Sequence, residues 1–123
     1  MTHPADNLSS VLVEIAEERQ RQDATWGEQN HPDGTGPRVA FAGHLGCMAE
    51  AAEQFRLATH AAAGQLPGLD HGPLTWRHIL LEEVFEAFAE DHPDQLRAEL
   101  IQAAAVAAAW IEALDRRAKR GKA

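Results

Sequence analysis

At 123 residues, 45% of them hydrophobic, the chain has the length of one domain and enough apolar content for a core, which sets it apart from a disordered chain. Its net charge of −8 speaks against a nucleic-acid polymer as partner, because such affinity rests on Lys and Arg neutralising phosphates. Five of the eleven basic residues follow Asp115, which leaves residues 1–115 with six basic against nineteen acidic side chains. An acidic body of this kind suits a divalent cation and can meet an anionic substrate through it; it is equally what a solvated surface shows.

There is no tyrosine and much of the apolar content is alanine, a bias that favours closely packed helices over sheets. A first helix is predicted over about Leu8 to Thr25, with Asn7 or Ser9 as its cap and Leu8, Leu12 and Ile15 as an apolar stripe. Trp26 to Pro37 is dense in turn formers and reads as a loop. The second helix is predicted over roughly Val39 to Ala63, weakened in its first turns by Gly43 and Gly46, and a second loop follows from Gly64 to Leu74. Thr75 reads as the cap of a third helix that runs to about Asp91. His92-Pro93 opens the fourth, since proline suits the first helical position, and that helix runs to about Lys119 within a basic tail over 116–123. No strand alternation and no repeat interrupts this pattern. The expectation is a single all-α domain over 1–123, a four-helix bundle whose third and fourth helices are antiparallel neighbours.

Cys47 is the single cysteine and cannot form an intrachain disulfide, so a reducing compartment is the natural home. Met1 to Ser10 lacks the basic-then-apolar pattern of a secretory signal. The most apolar run, Leu100 to Ile111, is broken by Gln102 and is too short to span a bilayer. A soluble, cytoplasmic protein with no membrane partner is expected.

The third helix carries Glu82, Glu83, Glu86 and Glu90 within one arc of roughly 100°, opposite Leu81, Val84, Phe85 and Phe88. Glu83 and Glu86, three apart, can aim their carboxylates at one point. Two carboxylates with waters and substrate phosphates make an ordinary Mg²⁺ site, although an acidic face opposite an apolar one is also what any amphipathic surface helix shows. The fourth helix tips the balance. Its apolar stripe runs through Leu96, Leu100, Ala103, Val106, Trp110 and Leu114, and Glu99 lies on that stripe. A lone carboxylate is costly to desolvate, so Glu99 there is explained by a metal, or else by an arginine partner such as Arg19 or Arg21. A hairpin from the third helix to the fourth brings Glu99 near Glu83 and Glu86, and a divalent ion relieves the repulsion among them.

Glu82-Glu83-x-x-Glu86 followed by Glu99-x-x-Gln102 resembles the paired-carboxylate signature of the all-α nucleotide pyrophosphohydrolases, the MazG-like enzymes with dimeric dUTPases and dCTP pyrophosphatases as relatives. The resemblance is clearest over Ile79 to Trp110, and the first helix with its Arg-Gln-Asp-Ala-Thr-Trp-Gly-Glu-Gln sequence is similar to small MazG-like proteins of bacteria and phages. It implies Mg²⁺-dependent (or Mn²⁺-dependent) hydrolysis of a nucleoside triphosphate to the monophosphate and pyrophosphate, in nucleotide clean-up or pool control. Glu83, Glu86, Glu99 and Gln102 would then hold the metal, with Glu82 a ligand or the group that positions the water. A homodimer or homotetramer is implied too, with the site near subunit contacts. Gln102 departs from the family pattern, which has aspartate there; an amide oxygen can ligate but brings no charge. The other expectation is therefore a catalytically weakened or inactive bundle that binds a nucleotide or a partner protein.

Trp26 could stack on a base, or anchor a core. Arg19, Arg21 and Arg38, with Arg116 and Arg117 of the tail, are candidate phosphate contacts, although basic residues also suit a helix C-terminus without a ligand. Glu50-x-x-Glu53 is a further carboxylate pair, read first as a solvated face and second as a contributor to the site. The histidines match no zinc-ligand spacing, and neither a phosphate-cradling glycine motif nor a nucleophilic triad can be assembled.

Overall fold

The computed structural model describes residues 4–40, 46–64 and 73–121. Four helices carry them: α1 over Pro4–Trp26, α2 over Met48–Ala62, α3 over Trp76–Phe88 and α4 over Pro93–Gly121. The only pairing of extended chain among the described residues is an isolated antiparallel bridge between Ala40 and Cys47. The all-α expectation holds. The chain divides into two compact units, one of residues 1–32 with 107–123 and one of residues 33–106.

In the first unit α1 is already helical at Pro4, so neither Asn7 nor Ser9 caps it as expected. Proline at the start of a helix supplies a preset φ and gives up only an N–H that has no helical acceptor. The buried face also differs from the expected stripe. Val11 is fully buried, whereas Leu8, Leu12 and Ile15 are each about half exposed. Leu8 and Ile15 lie about 40 to 60° to one side of Val11 on the helical wheel, and Leu12 lies about 100° away on that same side. Ala108 is the other buried apolar residue of this unit among those described. The polar side of α1 is laced by local ion pairs, Arg19 with Asp23 at 3.1 Å and Arg21 with Glu18 at 2.9 Å.

In the second unit α2 starts at Met48, nine residues later than predicted. The backbone shows why. Met48 N–H donates to Val39 C=O (2.8 Å) and Ala49 N–H to Pro37 C=O (3.0 Å), so the groups that would begin the helix close a loop instead. Gly46 sits at φ 94°, and a Cβ there would approach Glu50 Oε2 to 2.6 Å. Positions 41–45 and 65–72, with Gly43, His44 and His71, lie outside the described residues.

Thr75 caps α3 as its sequence predicts. Its hydroxyl accepts from His78 N–H (3.2 Å), and the His78 ring accepts from Thr75 N–H (3.3 Å), a reciprocal box with histidine in the usual Glu/Gln place. The helix ends at Phe88 rather than Asp91, because the Phe88 carbonyl is taken by Gly36 N–H at 2.9 Å. Gly36 is buried with φ 145°, a conformation open to glycine alone. Pro93 then opens α4, four residues after the α3 cap at Ala89.

Helices α2 and α3 pack through Phe55 and Phe85, whose ring centroids are 4.5 Å apart, with Phe88 edge-on to Phe85. The buried Thr59 hydroxyl is placed to donate to Phe55 C=O (2.9 Å) or to His78 C=O (3.1 Å), tying α2 to the first turn of α3. Ala51, Ala87, Leu96 and Ala103 complete the buried set of this unit. Leu100 and Leu114, expected on the apolar stripe of α4, are exposed by about half. Among the described residues no helix is long and apolar enough to cross a membrane.

Candidate metal centre

Each carboxylate of the centre owes its position to an apolar neighbour. On α4, Leu96 and Ala103 are buried, and Glu99 projects between them from the same side of the helix, half-buried. On α3, Ala87 is completely buried and Phe85 is pinned between Phe55 and Phe88. This fixes the rotation of α3 and sends Glu83 and Glu86 toward α4. The result is that one oxygen from each of Glu83, Glu86 and Glu99 lies within 4.8 Å of the other two. The clustering anticipated from the sequence is present in the fold.

The electrostatics follow from that crowding. Burial pushes the Glu83 carboxyl above its ordinary range, and the charges of Glu99 and Glu82 push it further. Glu86 rises to about 7, first through burial and then through Glu83, Glu82 and Glu99, with a hydrogen bond to Glu99 stabilising its protonated form. Glu83 Oε2 and Glu99 Oε2 are buried and have no hydrogen-bond partner among the described residues. A carboxylate oxygen in that state is an acceptor without a donor, and such groups are rare in folded proteins.

These residues fit a divalent cation. Hard cations take oxygen ligands, and an octahedral Mg²⁺ shell sets neighbouring oxygens about 3 Å and opposite ones about 4 Å apart. The observed cluster lies within side-chain adjustment of that spacing, and a cation would satisfy both orphaned oxygens at once. Glu82 stands beside the cluster with its side chain 18% exposed, and His60 Nε2 of α2 lies 4.0 Å from its Oε1. Gln102, one turn beyond Glu99, is exposed.

An open groove of about 330 Å³ leads to the centre. Glu86, Glu90 and Glu99 line one side of it, and Glu53 and Arg56 of α2 line the other. Arg56 donates to Glu53 through Nε (2.9 Å) and through a terminal nitrogen (2.6 Å). Of the two readings open for Glu50-x-x-Glu53, a solvated face or a contributor to the site, Glu53 lines the groove, and nothing in the sequence singles out Arg56 beside it. The pair at i and i+3 has the look of any surface helix pair, and only the packing of α2 on α3 brings it to the groove. Glu50 instead accepts from Cys47 Sγ at 3.5 Å, outside the groove.

Of the remaining predicted residues, Arg38 belongs to the second unit, where it lines a hollow with Gly36, Pro37 and Asp91, and Arg19, Arg21, Trp26, Arg116 and Arg117 belong to the first. Arg19 and Arg21 are engaged along α1 by Asp23 and Glu18. Trp26 is 69% exposed and anchors no core among the described residues. Arg19 lines a polar hollow with Gln22, Asp23 and His31 at the end of α1. Compared with known protein families, with curated proteins and with solved structures, the chain returns no match.

Proposed function

We propose that this chain is a divalent-cation-dependent nucleotide pyrophosphohydrolase that cleaves a nucleoside triphosphate to monophosphate and pyrophosphate, with Mg²⁺ as cofactor and Mn²⁺ as a substitute. One observation carries the reading: the convergence of Glu83, Glu86 and Glu99 with two buried carboxylate oxygens that have no donor among the described residues. The likeness of Glu82-Glu83-x-x-Glu86 and Glu99 to the MazG-like signature supplies the reaction class.

In this reading Glu83, Glu86 and Glu99 hold the cation. When bound, it neutralises phosphate oxygens and makes an attacking water more acidic. Glu82 accepts the proton of that water or orients it, with His60 Nε2 4.0 Å from its Oε1. Trp26, Arg19 and Arg21 stand as candidate substrate contacts, and a homodimer or homotetramer would cover the apolar side chains left exposed on α1 and α4. The exposed amide of Gln102 favours a second reading, a helical module that binds a nucleotide or a partner protein without turning it over.

The deciding experiment is pyrophosphate release from a panel of canonical and modified nucleoside triphosphates, with Mg²⁺ or Mn²⁺. Metal-dependent release that disappears in Glu83→Gln supports the enzyme. Absence of release across the panel at high protein concentration overturns it in favour of the second reading.

A further inference from the structure

The groove beside the carboxylates holds four acidic side chains, Glu53, Glu86, Glu90 and Glu99, and Arg56 is the one basic residue among those that line it. Three features of Arg56 stand out. It rises from α2, whereas Glu86 and Glu99 come from α3 and α4, and the charges of Glu82 and Glu86 reach it, so a ligand lying in the groove would meet both Arg56 and the carboxylates. Its guanidinium already makes a two-pronged contact with a carboxylate, the same fork geometry that grips a phosphate. Its side chain and that of Glu53 are about half exposed, and exposed ion pairs of this kind are weak and easily exchanged.

We infer that Arg56 is the phosphate-contacting residue of this groove, held at its mouth by Glu53 until a polyphosphate takes Glu53's place. The inference rests on the pyrophosphohydrolase reading for its ligand class. The physical case is an exchange of partners. A carboxylate on a solvated helix face gives way to phosphate oxygens that also reach the metal centre, and Arg56 keeps its two donors satisfied throughout. Glu53 is the competing partner of the fork, a half-exposed carboxylate that phosphate oxygens displace. Lysine could not replace this arrangement fully, because an ammonium is a point charge without the planar pair of donors.

The test is calorimetric and needs no turnover. Mn²⁺ alone is titrated first into the full chain and its Arg56→Ala, Arg56→Lys and Glu53→Gln variants, each checked for helicity. Inorganic tripolyphosphate is titrated next, with Mn²⁺ held saturating. Mn²⁺ affinity should be unchanged or slightly tighter in Arg56→Ala, which removes a positive charge beside the carboxylates. Tripolyphosphate binding should weaken about 10- to 100-fold in Arg56→Ala, the range for losing charge-assisted hydrogen bonds. Arg56→Lys should fall between the two, and Glu53→Gln should tighten binding by roughly threefold once the weak competing pair is removed. Equal tripolyphosphate affinity in wild type and Arg56→Ala overturns the inference, as does wild type that binds no tripolyphosphate. The hydrolase reading fails separately: tripolyphosphate binding that depends on Arg56, with no pyrophosphate release from any nucleotide, retains Arg56 and removes the enzyme.

Discussion

At the scale of single residues, Glu86 is the group whose titration the fold disturbs most plainly, and the sign of its effect on stability can be worked out. Its carboxyl moves from an ordinary 4.5 to about 7 in the metal-free chain. Below about pH 4.5 both folded and unfolded chains hold the proton, and no penalty arises. Between 4.5 and 7 the unfolded chain releases it while the folded chain keeps it, so stability falls as pH rises through that window and is level above it. The full shift corresponds to roughly 3 kcal/mol, which solvent screening at a half-buried group reduces to about 1 kcal/mol. Urea unfolding at pH 5 and pH 8 in EDTA should show that loss, and Glu86→Gln should remove most of it. Identical pH dependence in the variant would place the effect elsewhere. A second residue-scale expectation concerns Glu99. Glu99→Gln should abolish Mn²⁺ binding by calorimetry and leave the metal-free chain at least as stable, because it removes a buried carboxylate that repels two others. These residues were legible in the sequence for a physical reason: Glu99 interrupts an apolar stripe, and a carboxylate there needs an explanation. Arg56 was not, since an arginine three residues after a glutamate is ordinary helix chemistry until another helix packs beside it.

At the scale of elements, the side-chain cap at Thr75 is where the sequence puts it, the cap expected at Asn7 or Ser9 is not, and the ends decided by backbone partners differ from the sequence reading. Thr75 announces the start of α3 because its hydroxyl can serve the third N–H of the helix, and the structure shows that bond. The starts of α1 and α2 and the end of α3 depend instead on Pro4, on the loop bonds of Val39 and Pro37, and on Gly36 reaching the Phe88 carbonyl. The last two leave no local pattern, because each involves a backbone group whose partner is set by the fold, whereas Pro4 is a local signal of the same kind as Pro93. The two kinds of boundary should respond differently to mutation. Thr75→Ala should cost about 1 kcal/mol, the usual loss for a capping hydroxyl. Gly36→Ala should cost more, about 2 kcal/mol, because φ 145° is strained for any side chain. Its added Cβ would also lie 3.4 Å from Val39 Cγ2 and 3.6 Å from Asp91. Both values are readable from urea midpoints at constant slope. A Gly36→Ala loss smaller than that of Thr75→Ala would show that the Gly36–Phe88 bond contributes little to ending α3.

At the scale of the whole molecule, the cation reading makes a prediction about where stability resides. All three candidate ligands belong to the unit of residues 33–106, Glu83 and Glu86 on α3 and Glu99 in the first turns of α4. A ligand that binds only the folded state stabilises it by RT ln(1 + [L]/Kd), which is about 2.7 kcal/mol at a hundredfold excess over Kd. For a cooperative chain of 123 residues that raises the melting temperature by about 10 °C. Two compact units need not melt together, however, and the metal's free energy acts on the unit that holds the ligands. Hydrogen exchange with and without Mn²⁺ separates the possibilities. Protection should rise in α2, α3 and the start of α4, from Met48 to about Ala103, and should stay as it was in α1. Removing the metal with EDTA should reverse the gain, and Glu83→Gln should never show it. A uniform rise across both units would mean that they unfold as one body. A rise confined to α1 would place the cation away from the carboxylate cluster, and with it the reading that this cluster is the chain's functional centre would fall.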